Sequence, residues 1–286
     1  MKTFLIIKRM LVQHANAMVS WNVVGAPAIT AHLGFSRALG MAWSLNATGV
    51  AILHHGIEYE GNYNKYGVLS PNRVRGVPIQ TEEKDRSKFV LADQPFALSH
   101  YEVSLVIELE GEEEDIAAFR DDVVTGHTLK QALMANMRFA GGTILSIQDV
   151  MLSDFYREAL EKLPRTGHFV LDVSHELLPI KEDEDQLDRA IALLYPAEKA
   201  VDNEKDDEAV NSKRRWLALS NLGCILVSDV ACRTGVRQGL PHAYAEPLLG
   251  LIEYAPLRRV AQKTDVPLFW RFTYPADDVI SASTRA

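Results

Sequence analysis

A chain of 286 residues is long enough to bury a sizeable core, as one large domain or as a core domain with a smaller partner. Its hydrophobic share of 47% and charged share of 24% are those of a globular protein and exclude disorder throughout. The formal net charge of -8 argues against a free-standing nucleic-acid binder, although field and contact are local and much of the acid is confined to Glu110–Asp115 and Glu182–Glu208.

The run Thr3 to Val12, rich in Leu, Ile and Val and broken only by Lys8 and Arg9, predicts a buried first strand; it lacks the small-residue cleavage site of a signal peptide. His14 to Met18 follows as a polar, turn-forming segment with neither helical nor strand period. After Gly25-Ala26-Pro27, where the fixed φ of proline suits a helix start, Ile29, Leu33, Leu39 and Trp43 mark one apolar helix face over about 28–44, with Arg37 on the other side. Gly49 to Glu60 reads as a second strand carrying His54 and His55; neighbours on a strand face opposite ways, so one belongs to the core and one to solvent.

Asn62 to Leu98 differs in kind. Tyr63, Asn64, Lys65, Tyr66, Asn72, Arg73 and Arg75 mix with Gly and Pro, ahead of the charged run Glu82 to Lys88. Cations interleaved with tyrosines suit phosphates and base faces together, and long ordered loops are commonly functional; a solvated surface loop is the alternative.

Ser99 to Ile107 alternates as a third strand. Behind the acidic turn, Ile116, Phe119 and Val123 mark one helix face and Leu129, Leu133 and Met137 another, bent or split near Gly126-His127. Met137-Arg138-Phe139-Ala140-Gly141-Gly142-Thr143-Ile144-Leu145 then reads as a helix end, a double glycine and a strand. Paired glycines let the backbone approach a phosphate and turn its N–H groups outward, and Arg138 adds a fork of donors; a glycine C-cap before the strand is the structural alternative. Residues 1–150 thus spell β-α-β, insertion (62–98), β-α-β: an α+β sandwich of the ferredoxin-like or RRM-like type.

Residues 151–286 form a second, smaller α+β region. It comprises a helix-like segment from Leu152 to Leu163, a strand Gly167 to Val173, an acidic helix and a charged connection over 197–213. Strand-like sequence from Trp216 to Val227 follows, then a helix from Pro241 carrying Leu248, Leu249, Ile252 and Tyr254, and a last strand Leu268 to Tyr274.

Three stretches resemble one family. Ala15-Asn16-Ala17, with Ser20, Gly25, Pro27, Gly34-Phe35 and Ala38-Leu39 at fixed distances, is similar to the signature of the Csy-two family. That family is the Cas-five-type (RAMP) subunit of the type I-F CRISPR surveillance complex, also called the Csy complex or Cascade. The His-x-Glu-Val-Ser-Leu run at His100–Leu105 and the Met-Arg-x-Ala-Gly-Gly run at Met137–Gly142 resemble it too. The resemblance implies a non-catalytic, cytoplasmic subunit that binds the 5′ handle of a CRISPR RNA and docks the large subunit for antiviral DNA interference. It also implies Cas-seven-type backbone subunits as neighbours, target DNA met through the complex, and no membrane. Residues 62–98 take the place of the family's thumb-like insertion. By the same resemblance the Asn16–Asn22 loop orders handle nucleotides through Asn16, Ser20 and Asn22, with Trp21 stacking a base. Arg138, Gly141 and Gly142 hold phosphates, and Lys65, Tyr66, Arg73, Arg75 and Arg37 reach RNA. The chain departs from the family pattern Ser-Pro-Leu-Thr-Trp-Gly-Phe-Pro, having Ser20-Trp21-Asn22-Val23-Val24-Gly25-Ala26-Pro27, which points to a divergent branch.

The residues support no cofactor, metal constellation, nucleophile motif or P-loop, and Cys224 and Cys232 match no zinc or redox spacing. An endoribonuclease of the same fold is a rival reading, with His14, His54 and His100 as candidate acid or base; an unrelated interaction protein on a ferredoxin-like fold is another.

Overall fold

The computed structural model describes residues 1–20, 23–71, 74–80, 89–94, 97–124, 127–178, 185–195, 215–236, 239–261 and 266–285. Its spine is β1 (Lys2–Asn16), an unusually long strand whose Leu5, Ile6, Ile7, Met10 and Val12 are fully buried. Fully burying each such side chain contributes about 1.5–3 kcal/mol, which is why this apolar run takes the middle of the sheet. β1 pairs on one side with β9 (Leu98–Glu110) and on the other with β11 (Gly142–Ser153), both antiparallel. Beyond β9 lies β4 (Asn46–Tyr59), so these four strands run in the order β11-β1-β9-β4.

Helix α1 (Ile29–Ala42) crosses from β1 to β4, and α2 (Glu113–Val124) with α3 (His127–Asn136) crosses from β9 to β11. Both crossovers share one hydrophobic cluster with that face of the sheet, Leu33, Phe35 and Leu39 meeting Phe119, Leu129 and Leu133 over Tyr101, Val103 and Leu105. The other face is capped at one end by α4 (Tyr156–Glu161) and α6 (Leu257–Ala261), through Ala159, Leu163 and Val260 over Ile6, Leu53 and Val106.

The free edge of β4 is divided between two strands. His54 and Leu53 face β12 (His168–Asp172), while Ala51 and Val50 face β15 (Phe269–Ala276). From β12 the sheet continues through β14 (Ala245–Pro256), β13 (Leu217–Leu226) and β16 (Val279–Ser283) to β15, which returns it to β4 as a closed ring. Trp270 is wholly buried within it and donates Nε1–H to the Val170 carbonyl at 2.8 Å. The main hydrophobic cluster extends into the ring, through Val170, Leu222 and Ile252.

Several local expectations need correction. The segment from His14 is no free turn, because β1 continues to Asn16 by way of two bulges. Arg9 and His14 have left-handed backbones, φ 43° and 56°, and the displaced Arg9 N–H donates to Ser104 Oγ at 2.8 Å. The helix expected from Pro241 is the strand β14. Its run Leu248–Ala255 is apolar apart from Glu253 and is buried or half-buried throughout, a pattern in which periodicity cannot separate strand from helix. β16 was not read from the sequence, and the helix expected from Leu152 starts at Tyr156 because β11 extends to Ser153.

Within 62–98 the chain forms two ribbons, β5 (Gly61–Tyr63) with β6 (Leu69–Pro71), and β7 (Val74–Gln80) with β8 (Phe89–Gln94). The acidic helix is α5 (Gln186–Leu194), capped by Asp185 accepting from Leu187 N–H at 3.0 Å; the 197–213 connection lies outside the described residues.

Candidate nucleic-acid interface

The two loop motifs meet where β1 ends. Asn16 donates its backbone N–H to the Ala140 carbonyl at 2.9 Å, joining the first motif to the glycine turn. That turn links β10 (Arg138–Phe139) to β11, with Phe139 paired to Gly142 and Ala140 and Gly141 between them at φ 47° and 78°. Positive φ at both central residues is the type I′ pattern of a two-residue hairpin. The double glycine is therefore a strand-to-strand turn and no helix C-cap, since α3 has already ended at Asn136.

The glycines divide their work. A Cβ on Gly141 would meet nothing within 4 Å, so this residue faces open space. Gly142 is buried, and a Cβ there would lie 2.6 Å from the Gln13 carbonyl and 2.8 Å from the Ala15 nitrogen. Its role is close packing against the bulge of β1, and it offers no surface to a ligand. Arg138 is exposed on the edge strand β10 and donates to Thr143 Oγ1 across the ribbon.

Asn16 accepts Met18 N–H on its side-chain oxygen at 2.9 Å, an Asx turn that aims the chain into a small ribbon, β2 (Met18–Ser20) with β3 (Val23–Val24). Ser20 is half-buried there; Trp21 and Asn22 lie outside the described residues. Beyond Pro27, α1 begins with no side-chain cap, its N-cap being Ala28. The first turn of α1, Asn16, Val19, Ala140 and Asn221 of β13 surround a hollow of about 310 Å³. None of its lining side chains is charged. The positive end of the helix dipole faces this space, although Ile29 N–H already donates to Ser220 Oγ at 3.3 Å and Ala31 N–H to the Ala28 carbonyl at 2.9 Å.

A buried pair props the helix end from below. His32 approaches the Ala28 carbonyl with Nδ1 at 2.9 Å and the Tyr101 hydroxyl with Nε2 at 3.1 Å, so Nδ1–H donates and Nε2 accepts from the tyrosine. Burial lowers its pKa to about 4, and it stays neutral at neutral pH. His32 escaped the sequence reading; its spacing four residues beyond Ala28 was the available signal.

The histidines singled out separate into two groups. His14 and His100 converge on Glu60, with His14 Nδ1 2.6 Å and His100 Nε2 3.7 Å from Glu60 Oε1, and with ring centroids 5.6 Å apart. His54 is core, stacked on Tyr101 and packed against Tyr254 and Trp216, and burial, followed by neighbouring His168 and His55, lowers its pKa to about 4. His55 is half-buried and bonds Ser104 Oγ at 2.6 Å.

The remaining candidates scatter. Lys65 and Tyr66 occupy the exposed turn of the β5–β6 ribbon, Lys65 Nζ standing 4.8 Å from the Tyr66 ring centre, and Asn64 Oδ1 accepts from Tyr66 and Val68 N–H. That ribbon leaves the end of the sheet that bears Asn16, since Glu60 N–H donates to the Leu98 carbonyl and Leu98 pairs with Asn16. Arg73 and the Arg75 side chain lie outside the described residues, Arg75 itself being on β7. Arg37 does not join the others. It is exposed nine residues along α1 from Ala28, about 13 Å at the helical rise, beside a different hollow with Asn46 and Tyr274.

A family model described as CRISPR-associated protein (Cas_Csy2) matches residues 5–280. The chain belongs to the Csy2 family. The match spans both halves of the sheet, so this Csy2-family protein carries the family signal in its ring of strands as well as in its loops. No curated protein matches the chain. Among the described residues, no helix is long and apolar enough to cross a membrane, and no group of three His, Cys, Asp or Glu could hold a metal ion.

Proposed function

We propose that this Csy2-family protein is the non-catalytic subunit that grips the 5′ handle of a CRISPR RNA in a type I-F surveillance complex in the cytoplasm. The observation that carries the reading is the Asn16–Ala140 bond, which brings two sequence motifs into one hollow beneath the first turn of α1. An RNA phosphate is the ligand such a place suits. The helix end supplies positive potential, the open Gly141 turn lets a backbone approach closely, and Arg138 on the same ribbon adds a charge. The βαββαβ connectivity with strand order β11-β1-β9-β4 supports a ferredoxin-like, RRM-like sandwich of the RAMP type. The β5–β6 and β7–β8 ribbons serve as the thumb-like insertion toward backbone subunits. Docking of the large subunit and contact with target DNA through guide pairing complete the reading.

The test is Arg138→Ala with Gly141→Asp, in the chain co-expressed with the other subunits of its complex. Both positions are exposed, and a Cβ at Gly141 meets no neighbour, so the cost of the substitution is that of an L-residue at φ 78°. Loss of guide RNA from an otherwise soluble, folded chain is expected, read from the absorbance ratio and a footprint of the handle. Full guide content with an unchanged footprint would refute it. Gly142 is unsuitable for this purpose, because its substitution disturbs packing first.

The grouping of His14, His100 and Glu60 favours a second reading, cleavage of repeat RNA by two imidazoles acting as acid and base. The purified chain would then cut repeat RNA in EDTA, and His100→Ala would stop it. Intact RNA after incubation with the unaltered chain disposes of this reading.

A further inference from the structure

The face of the sheet opposite α1–α3 carries an open apolar hollow of about 400 Å³ between α4 and α6. Leu160, Leu163, Phe169, Val260, Val266 and Leu268 line it. Arg157 and Arg165 also line it, both exposed and neither with an ion pair to any described residue. Elsewhere Arg9, Arg120, Arg215, Arg259 and Arg271 are each engaged by a carboxylate. Glu161 is the one acid among the lining residues, which leaves a surplus positive charge at the margin of an apolar depression.

We infer that this hollow docks a protein segment of another subunit, presenting a large apolar side chain flanked by Asp or Glu. Charge complementarity selects the flanking acids: two guanidiniums with no ion pair to any described residue can donate charge-assisted hydrogen bonds to a carboxylate beside the anchor. The lining selects protein over nucleic acid. A nucleobase in a pocket needs hydrogen-bonding groups for its edges; apart from the exposed Arg157, Glu161 and Arg165, Tyr156 is the one polar side chain among the described lining residues, the rest being aliphatic or phenyl. An aliphatic or aromatic side chain makes no such demand. The volume falls within the range of sites that bury small ligands or anchor residues.

The inference rests on the reading that the chain works inside a multisubunit complex, and its test keeps the two apart. In the complex assembled by co-expression, Leu160 at the hollow is replaced by photoreactive benzoylphenylalanine and the cross-linked peptide is identified by mass spectrometry. A peptide with an apolar residue next to Asp or Glu is expected, and Arg157→Glu with Arg165→Glu should reduce its yield about tenfold. Both arginines are exposed, so the double variant should keep the thermal midpoint of the parent. Cross-linking to RNA alone, to a protein segment indifferent to charge reversal, or to nothing in a complex of normal guide content overturns the docking surface alone. A chain that associates with no subunit overturns this inference and the proposed function together.

Discussion

Replacing Gly142 by Ala is the sharpest test of how the site is built. The added methyl carbon would sit 2.6 Å from the Gln13 carbonyl oxygen, 2.8 Å from the Ala15 nitrogen and 2.8 Å from Val12 Cγ1. Two of these neighbours are backbone atoms of the central strand, held on both sides by β9 and β11, so the hairpin has to move. Overpacking of this sort costs about 1–3 kcal/mol. A lifted hairpin also loses the Asn16–Ala140 hydrogen bond, a further ~1 kcal/mol. Gly141→Ala is the control: it meets no neighbour, and its only burden is an L-residue at φ 78°, about 1 kcal/mol. Gly142→Ala should therefore lower the thermal midpoint more than Gly141→Ala does, and should accelerate amide exchange in 138–146 and at Asn16. Equal midpoints, with unchanged exchange at Asn16, would show that the hairpin does not lean on the bulge of β1.

Acid should weaken the fold. His32 and His54 have folded pKa values of about 4, against 6.5 unfolded, so the unfolded chain binds more protons between those values and stability falls as pH drops through that window, by at most roughly 3 kcal/mol for each. Thermal midpoints measured from neutral pH down to about pH 5 should decline, and His32→Asn should flatten the decline. Trp270→Phe removes the Nε1–H donor to Val170 and leaves a void inside the ring; a loss of about 2–3 kcal/mol in a denaturant titration is expected. If the handle is gripped mainly by backbone amides, its affinity should depend weakly on salt. A log–log slope of about -1 to -2 corresponds to one to three phosphate neutralisations on a single strand, and a slope several times steeper would point to a basic groove instead.

The first half was legible because its strands are apolar runs ended by polar or turn-forming residues and its helix has one apolar face. β1, α1, β4 and β9 lie close to where the sequence puts them, and the three strands are covered on both faces, Leu5, Ile7, Ile52 and Leu105 in one cluster and Ile6, Leu53 and Val106 in the other. The bulges were invisible: nothing local marks Arg9 or His14 for a left-handed backbone, which arises from mismatched registers between β1 and its neighbours. β14 was misread for the opposite reason, its apolar residues being too continuous to show a period. The meeting of Asn16 with the glycine turn joins the end of β1 to the β10–β11 hairpin, which no local spacing encodes. The division of labour between Gly141 and Gly142 depends on distances to β1 that no spacing encodes. Glu60 as the shared neighbour of His14 and His100 is equally non-local, linking three strand ends.

The acidic balance of the chain argues against RNA binding only if charge is averaged, and the placement of the ions shows why it should not be. Glu108, almost wholly buried, takes Lys2 and Arg271 on its two oxygens and so ties β9 to β1 and β15. Glu253 takes Arg215 and Arg259 in the same manner; burial pushes its carboxyl up, and the two guanidiniums more than offset this to hold it below the ordinary carboxylate range. Arg9 is held by Glu102 and Arg120 by Asp154. Cations and acids used this way are fasteners between strands and cancel locally, so they contribute little field at a distance. The hollow at the end of β1 has no charged side chain of either sign among its described lining residues, and the first turn of α1 opens onto it. A net charge of -8 therefore says little about this place, whose described lining carries no carboxylate.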